Sequence, residues 1–284
     1  MRWMEGRRSE NVEDRRGTRV SRGVVGGGVG ALLLALVAMY FGVDPSVFLS
    51  QTTTEGGGTP GAVSANRTPE ENRLADFVSV VLADTEDTWR ELFRQSGKTY
   101  REPTLVLFTD SVESACGLAD AAVGPFYCPG DQKVYIDLGF YREMKERFRA
   151  PGDFAQAYVI AHEIGHHVQN LLGVSERVDS ARRRASEAEA NRLSVRLELQ
   201  ADCLAGVWAN HADKARQILE EGDIEEALGA ASAIGDDRLQ RQARGFVVPD
   251  TFTHGTSDQR VRWFRRGLDT GELAQCNTFK AQRL

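Results

Sequence analysis

The run His162-Glu163-Ile164-Gly165-His166 constrains this chain more than any other stretch, because it only makes sense on a helix. Residues four apart share one helical face, so the two imidazoles can grip a single divalent ion, with Glu163 standing beside the ion's open position. The flanking residues supply the helix. Asp153 is a good N-cap with Gln156 three residues on, and Phe154, Ala157, Tyr158, Ala161, Gly165, Val168, Leu171 and Leu172 form an apolar or small-residue stripe. Gly173 offers a left-handed stop, which predicts a helix from about Phe154 to Leu172.

Two histidines do not complete a catalytic metal site, which uses three protein ligands and leaves a fourth position to water. His211 and His254 lie outside the motif, yet Glu198 is the better third ligand. It sits with Asp202 on one face of a second helix expected from about Ser186 to Asn210, where Leu197, Leu204, Val207 and Trp208 supply apolar surface. Taken alone, the two carboxylates would read as a solvated face; the unfinished ligand set upstream reverses that. Asp202, one turn on, can accept the free ring N–H of a ligating histidine and so fix its tautomer. Zinc suits two imidazoles and a carboxylate, although the same set would accept cobalt or manganese.

The chemistry expected of such a site is hydrolysis, with Glu163 as general base towards the attacking water. An oxyanion would need a further donor, for which His254 is the candidate, with Tyr158 and Tyr135 behind it, because Thr253-His254-Gly255 lies in a loop before a helix capped by Ser257. His167 is about 100° round the helix from His166 and is assigned to packing or to supporting a ligand. Arg260, Arg262, Arg265 and Arg266 around Trp263 and Phe264 read as a solvated helix face with an apolar anchor.

The N-terminus is organised differently. Residues 1–22 carry seven arginines against four acids, Gly23 to Val43 is an uncharged run long enough to cross a bilayer, and no Lys or Arg returns until Arg67. The positive-inside rule then predicts a cytoplasmic tail at 1–22, a single transmembrane helix at 23–43, a flexible linker at 44–67 and an extracytoplasmic domain at 68–284. On that division, removal of residues 1–43 should leave a folded domain. Cys116, Cys128, Cys203 and Cys276 all follow the apolar run, and the pairs Cys116 with Cys128 and Cys203 with Cys276 are the simplest of three connectivities. The net charge of -6 is mild and the basic residues of the domain are interleaved with acids, so nucleic acid is not an expected partner. Nothing in the sequence sets an oligomeric state.

Within the domain, Thr68-Pro69-Glu70-Glu71 opens an amphipathic helix of about 26 residues by a capping box. Thr104 to Thr109 reads as a strand, and Phe126 to Cys128 and Lys133 to Asp137 as a hairpin around Pro129-Gly130-Asp131-Gln132. A short helix from about Tyr141 to Phe148 leads into the metal-binding helix. The expected fold class is α+β, mainly helical with a small sheet. The free edge of a strand shortly before the metal helix could hold an extended substrate by main-chain hydrogen bonds.

Glu198 followed by Ala201-Asp202 downstream of the two-histidine motif resembles the gluzincin pattern. The whole chain further resembles a bacterial family of neutral zinc metallopeptidases with a glycine-rich N-terminal membrane segment. Its landmarks here are Met1-Arg2-Trp3, the runs 11–17 and 124–129, 157–169 around the motif, 198–203, and 253–257. The resemblance implies a zincin-like metallopeptidase fold and proteolysis of a protein or peptide substrate, with one zinc per chain. Two other readings stay open: a non-catalytic, zinc-stabilised interaction module, against which the intact Glu163 argues, and a zinc amidase acting on cell-wall crosslinks.

Overall fold

A computed structural model describes residues 1–17, 67–120 and 124–284, and within it Met1–Arg16 and Asn66–Leu284 form one compact unit. The run 23–43, read above as a transmembrane helix, and the linker after it as far as residue 66 lie outside the described residues. Among those described, no helix is long and apolar enough to cross a membrane.

The elements in chain order are β1 (Val12–Asp14), α1 (Pro69–Gln95), β2 (Thr104–Phe108), β3 (Ser111–Ser114), β4 (Gly117–Asp120), β5 (Phe126–Cys128) and β6 (Lys133–Asp137). Helices α2 (Gly139–Glu146), α3 (Asp153–Leu171), α4 (Val174–Arg182), α5 (Glu187–Arg216), α6 (Asp223–Ala233), α7 (Asp236–Arg244) and α8 (Ser257–Thr270) complete the domain. Sequence logic explains most of these. The capping box at Thr68 and Glu71 forms as expected and opens α1, while Ser186 with Glu189 does the same for α5. Strand β6 carries Val134, Tyr135 and Ile136, all at most 1% exposed, which is the pattern of a strand covered on both faces.

The sheet runs β1-β2-β6-β5, with β1, β2 and β6 parallel and β5 antiparallel at the edge. Helix α3 packs against α5 and α6 and touches α1, β5 and β6, so the predicted metal helix is the central member of the core. Helices α5 and α8 cross closely because both are bare at the crossing. A Cβ on Gly267 would stand 1.9 Å from the Cys203 carbonyl oxygen, and one on Gly206 would stand 2.1 Å from that of Phe264. Both predicted cystines are present, Cys116 with Cys128 and Cys203 with Cys276.

Three expectations are corrected. First, Met1–Arg16 are not a separate tail: β1 pairs with β2, Trp3 is buried against Phe77, and the Met1 ammonium lies 2.6 Å from Asp153 and 3.2 Å from Asp223. Second, Asp153 does not cap α3. Its carboxylate is taken by the Met1 ammonium, Gly152 is the N-cap, and Glu226 accepts from the Phe154 N–H instead. Third, α8 is capped by Thr256 with Gln259, one residue before Ser257. The β3–β4 hairpin, which the sequence reading did not foresee, is a separate two-stranded sheet.

Candidate metal centre

Helix α3 presents His162 and His166 on one face, their rings 4.8 Å apart between centroids and nearly perpendicular. Helix α5 brings Glu198 to them. The approach is close because Gly165 faces α5: a Cβ there would come within 3.0 Å of the Ala201 carbonyl oxygen. Glu198 Oε2 lies 3.2 Å from His162 Nε2 and Oε1 lies 3.5 Å from His166 Nε2. A tetrahedral ion with bonds of about 2.0–2.1 Å spaces its ligand atoms about 3.3 Å apart, close to these two separations, and one donor atom from each of the three side chains lies within 4.8 Å of the others, so the set fits a single divalent ion such as zinc.

The surroundings fix the rings. His162 Nδ1 donates to Asp202 Oδ1 at 2.8 Å, so Nε2 is the ring nitrogen that faces Glu198 and would bind the ion once it has given up its proton. Asp202 is fully buried and also accepts from the Tyr158 hydroxyl at 2.5 Å and from Arg260 through Nε at 2.9 Å and Nη2 at 2.8 Å. Arg260 is therefore not on a solvated face. It is 2% exposed and lies beneath the ligands, delivered there by the α5–α8 crossing. Its signal was hidden, because an arginine in a helix with three others looks like solvent-facing charge.

Burial works against every charge here, and the partners decide the outcome. For Asp202 burial pushes up, but the Arg260 charge and the His162 contact outweigh it and hold the carboxyl at about 2. Burial would lower His162, yet the Asp202 charge and hydrogen bond raise it to about 10 in the metal-free protein. Glu198 is held well below the usual carboxylate range, burial notwithstanding, by the His166 charge and hydrogen bonds from both histidines. Glu163 shifts the other way: burial raises it above an ordinary glutamate, which suits a group that must take up and return a proton.

The site opens into a cleft of about 890 Å³ lined by His162, Glu163, His166, Glu198 and His254 together with apolar Phe126, Phe140, Phe148, Leu197 and Leu239. His254 is half-exposed, and Asp236 holds it in place. Asp236 Oδ2 accepts the backbone N–H groups of Thr253, His254 and Gly255 at 2.6–3.0 Å, and Oδ1 lies 3.2 Å from His254 Nδ1. The other tyrosine candidates are committed elsewhere. The Tyr158 hydroxyl serves Asp202, and the Tyr135 hydroxyl donates to Asp131 at 2.7 Å. His211 bonds the Gly271 carbonyl, outside the cleft.

His167 has a support role of a specific kind. Its Nε2 donates to the Arg101 carbonyl at 2.6 Å, so Nδ1 accepts from the Tyr127 hydroxyl at 3.1 Å, and that hydroxyl also accepts from Asn170 at 3.1 Å. Burial pulls the His167 pKa down to about 4, keeping the ring neutral as this arrangement requires. Edge strand β5 is thereby fastened to the helix that bears His162 and His166. Gln169, which sequence reasoning passed over, contacts His166 at 2.8 Å.

A family model described as "Putative neutral zinc metallopeptidase" matches residues 1–279. The chain is 51% identical over 288 residues to the uncharacterized protein YpfJ of Escherichia coli strain K12, covering 98% of this chain and 99% of the relative. An uncharacterized protein of Mycobacterium bovis is 42% identical over 262 residues, covering 87% and 86%. No solved structure matches the chain.

Proposed function

We propose that this chain, which belongs to the family of neutral zinc metallopeptidases, cleaves peptide bonds with a single zinc held by His162, His166 and Glu198. The observation that carries the reading is the convergence of those three side chains from two helices, one donor atom of each within 4.8 Å of the others, with Glu163 on the same cleft.

Zinc in that position supplies acidification of a water molecule and polarisation of the scissile carbonyl. The chain's own groups do the rest. Glu163 accepts the proton of the attacking water and passes it to the leaving amine. His254, oriented by Asp236, donates a hydrogen bond where negative charge develops on the carbonyl oxygen. Strand β5, at the sheet edge and on the cleft wall, offers backbone groups to an extended peptide, and the apolar lining receives its side chains.

We place the domain outside the cytoplasm. Two cystines support an oxidising compartment. The apolar run at 23–43 is kept as the membrane contact, and the pairing of β1 with β2 supports a placement of residues 1–16 on the same side as the domain.

The test is zinc content and casein cleavage by the full chain and by Glu163→Gln. One zinc per chain, cleavage by the parent and loss of cleavage with retained zinc in the variant are expected. Cleavage that survives Glu163→Gln defeats the mechanism. Zinc without cleavage of casein favours the interaction module, and zinc with cleavage of a wall crosslink instead favours the amidase.

A further inference from the structure

Gln169 is fully buried and occupies the turn of α3 that follows His166. Its amide makes three contacts, and their chemistry leaves only one orientation. The Leu197 carbonyl can only accept, so the amide nitrogen must face it, at 2.7 Å, and the same nitrogen reaches Gln200 Oε1 at 3.2 Å. The amide oxygen therefore faces His166 Nδ1, at 2.8 Å, and that ring nitrogen must carry the hydrogen. His166 Nε2 is then the nitrogen that faces Glu198 and is available to a metal ion.

Leu197 is the residue before Glu198, so one side chain ties a ring on α3 to the backbone that carries the carboxylate on α5. Gln200 continues the tie by donating to the Cys276 carbonyl at 2.9 Å, next to the Cys203–Cys276 cystine. The two histidines are thus supported differently. His162 leans on a carboxylate whose charge is balanced by Arg260, whereas His166 leans on a neutral amide that must accept on one side and donate on the other.

We propose that Gln169 is the positioning residue that sets the metal-facing nitrogen of His166 and its register with Glu198, and that its amide cannot be replaced by a carboxylate. The inference rests on the reading that these residues bind zinc. It makes a counter-intuitive claim. A glutamate at 169 would be a stronger acceptor for the His166 N–H, as Asp202 is for His162, yet it would set its second oxygen against the Leu197 carbonyl and Gln200 Oε1.

The experiment is zinc affinity of the full chain by competition with a chromophoric chelator, alongside thermal unfolding of the metal-free protein. Gln169→Glu and Gln169→Met should each bind zinc about 10–100-fold more weakly than the parent. Gln169→Glu with parental or tighter affinity overturns the proposal. So does a lowered unfolding midpoint with unchanged zinc affinity, the signature of a merely structural residue. Should the Gln169 variants not fold, Gln200→Met decides: it keeps the amide but removes one acceptor, and zinc binding should weaken by less than about tenfold, while an unchanged affinity overturns the proposal. A parent chain that binds no zinc defeats the metal reading itself; a parent that binds, with variants that match it, defeats this inference alone.

Discussion

Replacing Asp202 by Asn changes one atom and removes one charge, and the structure makes the consequence large. Asp202 is fully buried, and its carboxylate holds Arg260, itself 2% exposed, through two hydrogen bonds of 2.8 and 2.9 Å. An asparagine keeps one oxygen for four donors, from Tyr158, His162 and Arg260, and turns an N–H₂ towards a guanidinium. Leaving a buried charge without its counter-charge costs about 3–5 kcal/mol. A domain of this size loses roughly 2–4 °C of melting temperature per kcal/mol, so the midpoint should fall by roughly 6–20 °C. The assay is circular dichroism melting at pH 7 with a chelator present, so that loss of metal does not contribute. The same variant should bind zinc about 10–100-fold more weakly, because His162 loses the acceptor that orients it. A metal-free midpoint within about 2 °C of the parent would refute the view that Arg260 depends on this carboxylate.

Three further outcomes follow from the geometry. Zinc uptake should release protons: at pH 7 the metal-free His162, held at about 10, carries a proton that a ligand nitrogen must lose, so below about pH 10 apparent affinity falls about tenfold for each unit by which the pH is lowered, per proton displaced. Calorimetry in buffers of different ionisation enthalpy reads this, and buffer-independent heats would contradict it. His254→Ala should lower kcat by about 10²–10³ with zinc retained, since Asp236 still holds the loop backbone; an unchanged kcat removes His254 from catalysis. Gly267→Ala forces a methyl into the Cys203 carbonyl and should cost about 1–3 kcal/mol, read as a lowered urea midpoint, with no shift expected only if α8 can back away from α5.

What the sequence disclosed was local or strongly typed. The capping box at Thr68 and the hairpin at 126–137 could be read because their signals lie within a few residues. The ligand set was readable because few residue types bind zinc, and an incomplete set asks for one more. What stayed hidden depends on partners far away in the chain. β1 is three residues, two of them acidic, and becomes a strand only by pairing with residues 105–107. Asp153 looked like a cap, and only the fold reveals a cation competing for it. Arg260 looked solvated until two glycines on different helices brought it under His162. Gln169 gave no signal at all, because an amide on a helix is ordinary until its three neighbours are known.

The strand contributed by the opening residues alters how a water-soluble version must be made. Cutting the chain at residue 43 would discard β1, Trp3 and the ammonium beside Asp153, and leave β2 with an open edge. Asp14 meets both Arg16 and Arg67, so the stumps on either side of the apolar stretch are already neighbours. Excising that stretch from within, and splicing Gly17 to Asn66 through a few glycines and serines, keeps every described contact while shedding the greasy part.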